Sequence, residues 1–266
     1  MAQSTETKGF AASQSSKRTL IELGALLVGL VVLFFAGRLA IGCAAESVAE
    51  HLPVSIDEQI GKTAAEQMRT KYNLGEKPSA EQIARVDRIF NELKNALTDQ
   101  EKTILKNPRV TVVVDSQVNA FALPGGEVFV LTGLLERVGP KGDDLIRGVL
   151  AHELGHAVKR HGVRGLARSA AFGVVLAFVI GEVDDVVVTL AAGASKLDGL
   201  SHSRDMETEA DLFGLDLLQR AGYTGEGLAE FLESLGSQPV PELLSTHPDP
   251  VERAAAIRKR VGSTER

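Results

Sequence analysis

Between Leu23 and Gly37 the chain reads LGALLVGLVVLFFAG, with no charged side chain. No other feature limits the fold as strongly. A core or surface helix of a water-soluble domain carries a polar face, and this segment has none. Extended to Leu20 and Gly42, it supplies the roughly 20 mainly apolar residues that a helical membrane span needs. Its two charges, Glu22 and Arg38, sit near the ends, where long side chains reach the interface. Lys8, Lys17 and Arg18 precede it, which keeps the start in the cytoplasm and puts the remainder outside.

A second reading of this segment is a signal peptide. Cys43 follows Ala40, Ile41 and Gly42, loosely like a bacterial lipoprotein cleavage site, and acylation there would anchor the chain by lipid. Arg38, so close before the site, argues against cleavage, so the uncleaved anchor is preferred. Residues 1–19, rich in Ser, Thr, Gln and Lys and without apolar periodicity, read as disordered. The expected organisation is a disordered 1–19, a transmembrane anchor or signal segment at 20–42, and one tethered domain over 46–266. In both readings that domain is extracytoplasmic, hence periplasmic in a Gram-negative bacterium.

The formal charge of −6 and a pI near 5.6 give no basic surplus, so nucleic acid is not an expected partner. Cys43 is the single cysteine, which excludes an internal disulfide and a Cys-rich zinc site. Any metal must then rest on carboxylates and on the six histidines.

Past the anchor, Ile60, Ala64, Ala65, Met68 and Tyr72 recur at helical spacing, Gly75 and Pro78 interrupt, and Ile83 to Leu97 resume the period. Val110 to Val114 reads as a buried strand. Ala120–Leu123 and Val128–Leu131, flanking Pro124-Gly125-Gly126-Glu127, read as a hairpin. Asp143 is a plausible N-cap for a helix running to about His161. Residues 170–194 are apolar but broken by Glu182, Asp184 and Asp185, which suit a turn. That favours a helical hairpin over two spans, although bilayer entry with a cytoplasmic site is a rival topology. Further helices are expected at about 204–221, 225–236 and 248–262. The class is mainly α with a small β-sheet, α+β.

On the helix after Asp143 lies His152-Glu153-Leu154-Gly155-His156. Histidines four apart share one helical face about 6 Å apart and can hold one zinc. Glu153, about 100° further round, can reach a water at the metal without ligating, which suits a general base. Apolar Leu145, Ile146, Val149 and Leu150 bury this helix. A hydrolytic zinc needs a third protein ligand and an open position, for which His161, His202, His247 and a downstream carboxylate are candidates. In Ser203–Asp211 the helical period aligns Glu207 and Asp211 with Gly214, Leu215 and Leu218, which puts two acids on a buried face. Buried acids are rare unless paired or metal-bound. Glu207 is therefore the preferred third ligand, and Asp211, one turn on, the acceptor that orients a zinc histidine. Glu209 reads as a solvated charge on the opposite side.

Four blocks, DEQIGKTAAEQ (57–67), NAFALPGGEVFVLTGLL (119–135), HELGHAVKRH (152–161) and SRDMETEAD (203–211), resemble the HtpX / CAAX-prenyl-protease family of zinc metallopeptidases, and STHPDPVERAAAI (245–257) fits it too. The likeness is to its periplasmic and mitochondrial inner-membrane branch of BepA and LoiP type. It implies a gluzincin with a zincin-like fold: one zinc per chain on His152, His156 and Glu207, Glu153 as base, Asp211 behind the ligands. It also suggests that Asn119, Ala120, Phe121 and Ala122 form an edge strand along which an unfolded protein or peptide lies, bound through its backbone. In such a family the 245–257 block packs near the metal, so Arg253 could face the developing oxyanion and His247 could occupy the open zinc position and keep the enzyme latent. His51, His161 and His202 read as surface residues. The sequence ends soon after this block, so no appended helical-repeat or PDZ platform is expected. The implied function is a membrane-tethered endopeptidase acting on misfolded envelope or membrane proteins. Its rival is a chaperone-like assembly factor that contains zinc but cleaves little.

Overall fold

The computed structural model describes residues 6–72, 77–193, 197, 199, 201–237 and 240–264. Gly75, read above as a helix break, lies outside these residues, as do residues 1–5. Helix α1 (Glu6–His51) is continuous. Residues 6–19, expected to be disordered, form its first turns, since a nucleated helix extends outward wherever no proline stops it. From Ile21 it is long and apolar enough to cross a membrane, and Leu26, Leu30, Leu33 and Phe35 are exposed along it. Its lower end belongs to the domain, with Ala45 and Ala49 buried.

Helices α2 (Ser55–Lys71), α3 (Ala80–Asn95) and α4 (Asp99–Ile104) follow. Their helical spacing buries Ile60, Ala64 and Met68 on α2 and Val86, Ile89, Phe90 and Leu93 on α3. Ser79 starts α3 with a reciprocal cap, accepting from the Gln82 N–H while the Gln82 side chain accepts from its own.

Strands β1 (Arg109–Val113), β2 (Ala120–Ala122) and β3 (Glu127–Leu131) form one sheet in the order β1-β3-β2, with β1 parallel and β2 antiparallel to β3. The expected hairpin is β2–β3. Every residue of β3 is buried, because its alternating side chains serve two cores. Val128 and Val130 join one cluster with α3 and the later helices. Phe129 and Leu131 join another with α1 and α2. β2 is the outer strand. The bonds Leu131 N–H to Asn119 O and Leu123 N–H to Glu127 O leave Ala120 and Ala122 with their backbone groups turned away from β3.

Helices α5 (Thr132–Val138), α6 (Asp143–Val158), α7 (His161–Ser169), α8 (Ala171–Ile180) and α9 (Val183–Ala192) come next. They are followed by α10 (Arg204–Arg220), α11 (Glu226–Ser237), α12 (Pro241–Thr246) and α13 (Pro250–Thr264). The cap of α6 is Gly142. Asp143 is its first helical residue, and its carboxylate takes Arg85 at 2.6 Å and also Arg88. From Ile146 to Val158 α6 is buried throughout, with α10 and α11 pressed against it. A Cβ on Gly155 would lie 2.8 Å from the Ala210 carbonyl oxygen, and one on Gly148 2.5 Å from the Leu228 nitrogen. Only glycine permits these approaches, and the first of them sets α10 beside the His-Glu motif.

Arg160 turns the chain between α6 and α7 with φ +58°, a left-handed conformation that costs a non-glycine residue about 1–2 kcal/mol. Its guanidinium offsets this by donating to the buried Asp57 carboxylate at 2.6 Å and to the Glu50 and Leu52 carbonyls at 3.2 and 2.9 Å. One side chain thus ties the end of α1 to α2 and to the α6–α7 corner. The apolar stretch 170–194 is, over its described residues, the α8–α9 hairpin. Each of its helices has ten residues, half a span, and Glu182, Asp184 and Asp185 fall at its turn and in the first turn of α9.

Candidate metal centre

α6 and α10 cross so that the His-Glu motif meets the buried acids of the downstream helix. His152 and His156 lie one turn apart, their rings edge to face and their Nε2 atoms 2.9 Å from each other. Glu207 reaches them from α10, Oε2 at 3.5 Å from His152 Nε2 and Oε1 at 3.4 Å from His156 Nε2. His247, just after α12, brings Nδ1 to 3.1 Å from Glu207. One ligand atom from each of these four buried residues lies within 4.8 Å of the others. Two imidazoles, a carboxylate and a further imidazole, dry and convergent, are a donor set that suits zinc. The residues present therefore fit the metal.

The groups behind the donors fix their orientation. His152 Nδ1 is 2.9 Å from Asp211 Oδ1, so its N–H donates to Asp211 and Nε2 faces the centre. Arg253 from α13 grips Asp211 through Nε and Nη2 at 2.8 and 2.7 Å and also pairs with Glu207. Its remaining contacts are the Pro248 carbonyl at 3.5 Å and the His152 ring at 3.4 Å. Two buried acids side by side demand such a counter-charge, and the expected role of Arg253 toward an oxyanion stays a proposal.

Burial disfavours charge throughout the site, and the partners decide the outcome. Burial raises Asp211, but Arg253 and His152 outweigh it and hold the carboxyl low. Glu207 is held far below the usual range, because His247, His152 and His156 outweigh its burial. Burial would lower His152, yet Asp211 and Glu207 push it up to about 9. His156 is driven well down, by burial first and by His202 next. Glu153, 3% exposed, takes no part in the donor cluster, and burial pushes its carboxyl up.

The expected edge strand lies over this centre. Phe121 and Ala122 line the narrow cleft with Glu153, His202, Thr246 and His247, and the cleft encloses only about 10 Å³, room for one water at most. The Ala122 backbone N–H faces the Glu153 carboxylate. Asn119 is buried, its Oδ1 without a hydrogen-bond partner among the described residues. Phe121 stacks on its cross-strand partner Phe129, ring centres 5.3 Å apart, which fixes the strand.

Two of the three histidines read as surface residues are not on the surface. His51 is exposed. His161 is fully buried, Nδ1 2.9 Å from His156 Nδ1 and Nε2 3.0 Å from Glu209. Burial pushes it down to about 4. His202, half-buried, has its ring centre 4.0 Å from that of His156, its Nδ1 without a hydrogen-bond partner among the described residues. Glu209 is not a merely solvated charge, because it also takes Arg164 at 2.9 Å. Helical period could not find His161, since α6 ends at Val158 and the left-handed residue of the corner, Arg160, is not a glycine.

The comparisons agree with this geometry. Over 153 residues, 56% of this chain and 30% of the relative, it is 39% identical to the mitochondrial metalloendopeptidase OMA1 of Arabidopsis thaliana. It is 35% identical over 167 residues to the metalloprotease YcaL of Escherichia coli, covering 57% of this chain and 61% of that protein. With the beta-barrel assembly-enhancing protease of Yersinia pestis the identity is 28% over 226 residues, 78% of this chain and 44% of the relative. The chain thus spans between 30% and 61% of the length of these relatives. Residues 80–261, which carry every residue of the donor cluster, match peptidase family M48, and the chain belongs to that family.

Proposed function

We propose that the chain is a membrane-tethered zinc endopeptidase that cleaves unfolded or misfolded envelope or membrane proteins. The observation that carries this reading is the convergence of His152, His156, Glu207 and His247 within 4.8 Å beside a buried, non-ligating Glu153. His152, His156 and Glu207 would hold the metal. Bound zinc supplies Lewis acidity, polarising a carbonyl and making water easier to deprotonate. Glu153, its carboxyl raised by burial, takes the proton from the attacking water and returns it to the leaving amine. Asp211 keeps His152 oriented, and Arg253 keeps both acids charged. Asn119 to Ala122 binds an extended peptide through the backbone groups that Ala120 and Ala122 turn outward. That mode needs an unfolded chain but little side-chain preference.

α1 provides the tether, with the domain on the extracytoplasmic side, and Cys43 acylation is the alternative anchor. The test is casein cleavage by the full chain in detergent. Chelation should abolish it and one equivalent of zinc per chain should restore it. Cleavage that survives chelation sinks the proposal.

His247 closes the cleft and stands in the donor cluster, so it keeps the enzyme latent. His247→Ala is expected to raise casein cleavage severalfold at unchanged zinc content. A fall in cleavage would show that His247 serves the reaction instead.

A further inference from the structure

The donors of the two motif histidines are held differently. Behind His152 stands a carboxylate, but behind His156 stands another imidazole. Both Nδ1 atoms of the His156–His161 pair face each other at 2.9 Å, so one donates and the other accepts. His161 Nε2 faces Glu209 Oε2 at 3.0 Å. A carboxylate only accepts, so the His161 proton sits on Nε2 and its Nδ1 is the acceptor. His156 then carries its proton on Nδ1, and its Nε2 lone pair faces Glu207 and His152. The opposite arrangement would put a proton on the metal-facing nitrogen. Beyond Glu209 the line continues. Arg164 of α7 bonds Glu209 at 2.9 Å and Glu46 of α1 at 2.8 Å, and Arg168 adds to Glu46. His161 is 0% exposed, and the side chains of Arg164 and Glu46 are 13% and 12% exposed.

We propose that His161 and Glu209 are positioning residues that set the tautomer and ring orientation of the metal ligand His156, and that Arg164 and Glu46 extend this support to the foot of α1. The role rests on the metal reading above. It makes the end of α1 part of the support of the zinc site, through Arg164, Glu209 and His161. Histidine ligands depend on such outer partners, and losing one weakens metal binding about 10–100-fold.

The experiment measures zinc affinity of the full chain in detergent by chelator competition, beside the visible spectrum of the cobalt-loaded protein. His161→Leu, which removes the acceptor but fills the space, should weaken zinc about 10–100-fold and alter the cobalt bands. His161→Gln, whose amide oxygen can accept from His156, should recover most of the affinity. Glu209→Ala, at a side chain 41% exposed, tests the same line without cutting into the core and should weaken zinc at an unchanged melting temperature. Glu46→Gln added to Glu209→Ala should cost little more, as expected for members of one chain. Equal losses for His161→Leu and His161→Gln, or wild-type affinity and spectrum in His161→Leu and Glu209→Ala, overturn the positioning role. A wild-type chain that takes up no zinc overturns the metal reading and this role with it.

Discussion

Glu153→Gln should lower casein cleavage by about 10²–10⁴-fold, the range for losing a positioned general acid–base, while zinc stays bound. Glutamine has nearly the same volume and still fits the buried position, 3% exposed. It can accept the Ala122 N–H but cannot accept a proton from water. Because Glu153 lies outside the donor cluster, zinc content and unfolding midpoint should match the wild type. The loss should appear in kcat with little change in KM, since peptide binding is assigned to the edge strand and not to the base. Metal analysis, a urea titration and a casein assay on one preparation check all three. Undiminished cleavage would remove Glu153 from the mechanism. Loss of zinc together with activity would instead make it a ligand. The variant also separates the peptidase from a zinc-containing assembly factor, because only the latter keeps its biological role without cleavage.

Arg253→Ala should strongly destabilise the zinc-free fold. The guanidinium is 8% exposed and is the partner of two buried acids, Asp211 and Glu207. Removing one side of a buried ion pair costs about 3–5 kcal/mol, because the remaining charge stays desolvated. Arg253→Lys should recover part of this. It keeps the charge but not the planar fork that spans Asp211 Oδ1 and Oδ2. Added zinc should narrow the gap between variant and wild type by supplying positive charge beside Glu207. The measurement is the urea midpoint with and without zinc. A zinc-free Arg253→Ala within about 1 kcal/mol of the wild type would show that the acids there are protonated and not paired.

Much of the centre was legible because it rests on helical period and on the rarity of buried acids. Four-residue spacing put His152 and His156 on one face, and the stripe containing Gly214 and Leu218 placed Glu207 and Asp211 inward. β3 was legible as a strand of the hairpin, although its two-sided burial comes from packing that no single strand records. His161 was not legible. Its position depends on the left-handed turn at Arg160, which is stabilised by Asp57, over 100 residues earlier in the sequence. Period carries no information across such a corner. Glu209 was misread for the same reason, since its partner His161 could not be placed. Arg253 was expected beside the centre, but its pairing with Asp211 and Glu207 had no signal in the sequence. Whether an arginine faces substrate or carboxylate is settled by tertiary contacts alone. The helical start at residues 6–19 escaped because local composition there is poor in apolar residues, and the helix is propagated from the segment that follows.

The continuity of α1 bears on where cleavage can happen. A helix rises about 1.5 Å per residue, and no break separates the apolar stretch ending near Gly42 from the buried Ala45 and Ala49. A chain anchored through that stretch is mounted on a stiff post, not a rope. Its cleft then stands at one height and one angle above the bilayer, and it cannot sweep the surrounding volume. Substrates at that height are within reach, and those further out must be brought to it. Inserting a few residues between Gly42 and Glu46 would move the cleft by a calculable distance and rotation, so this geometry can be used as a ruler for where its substrates are presented.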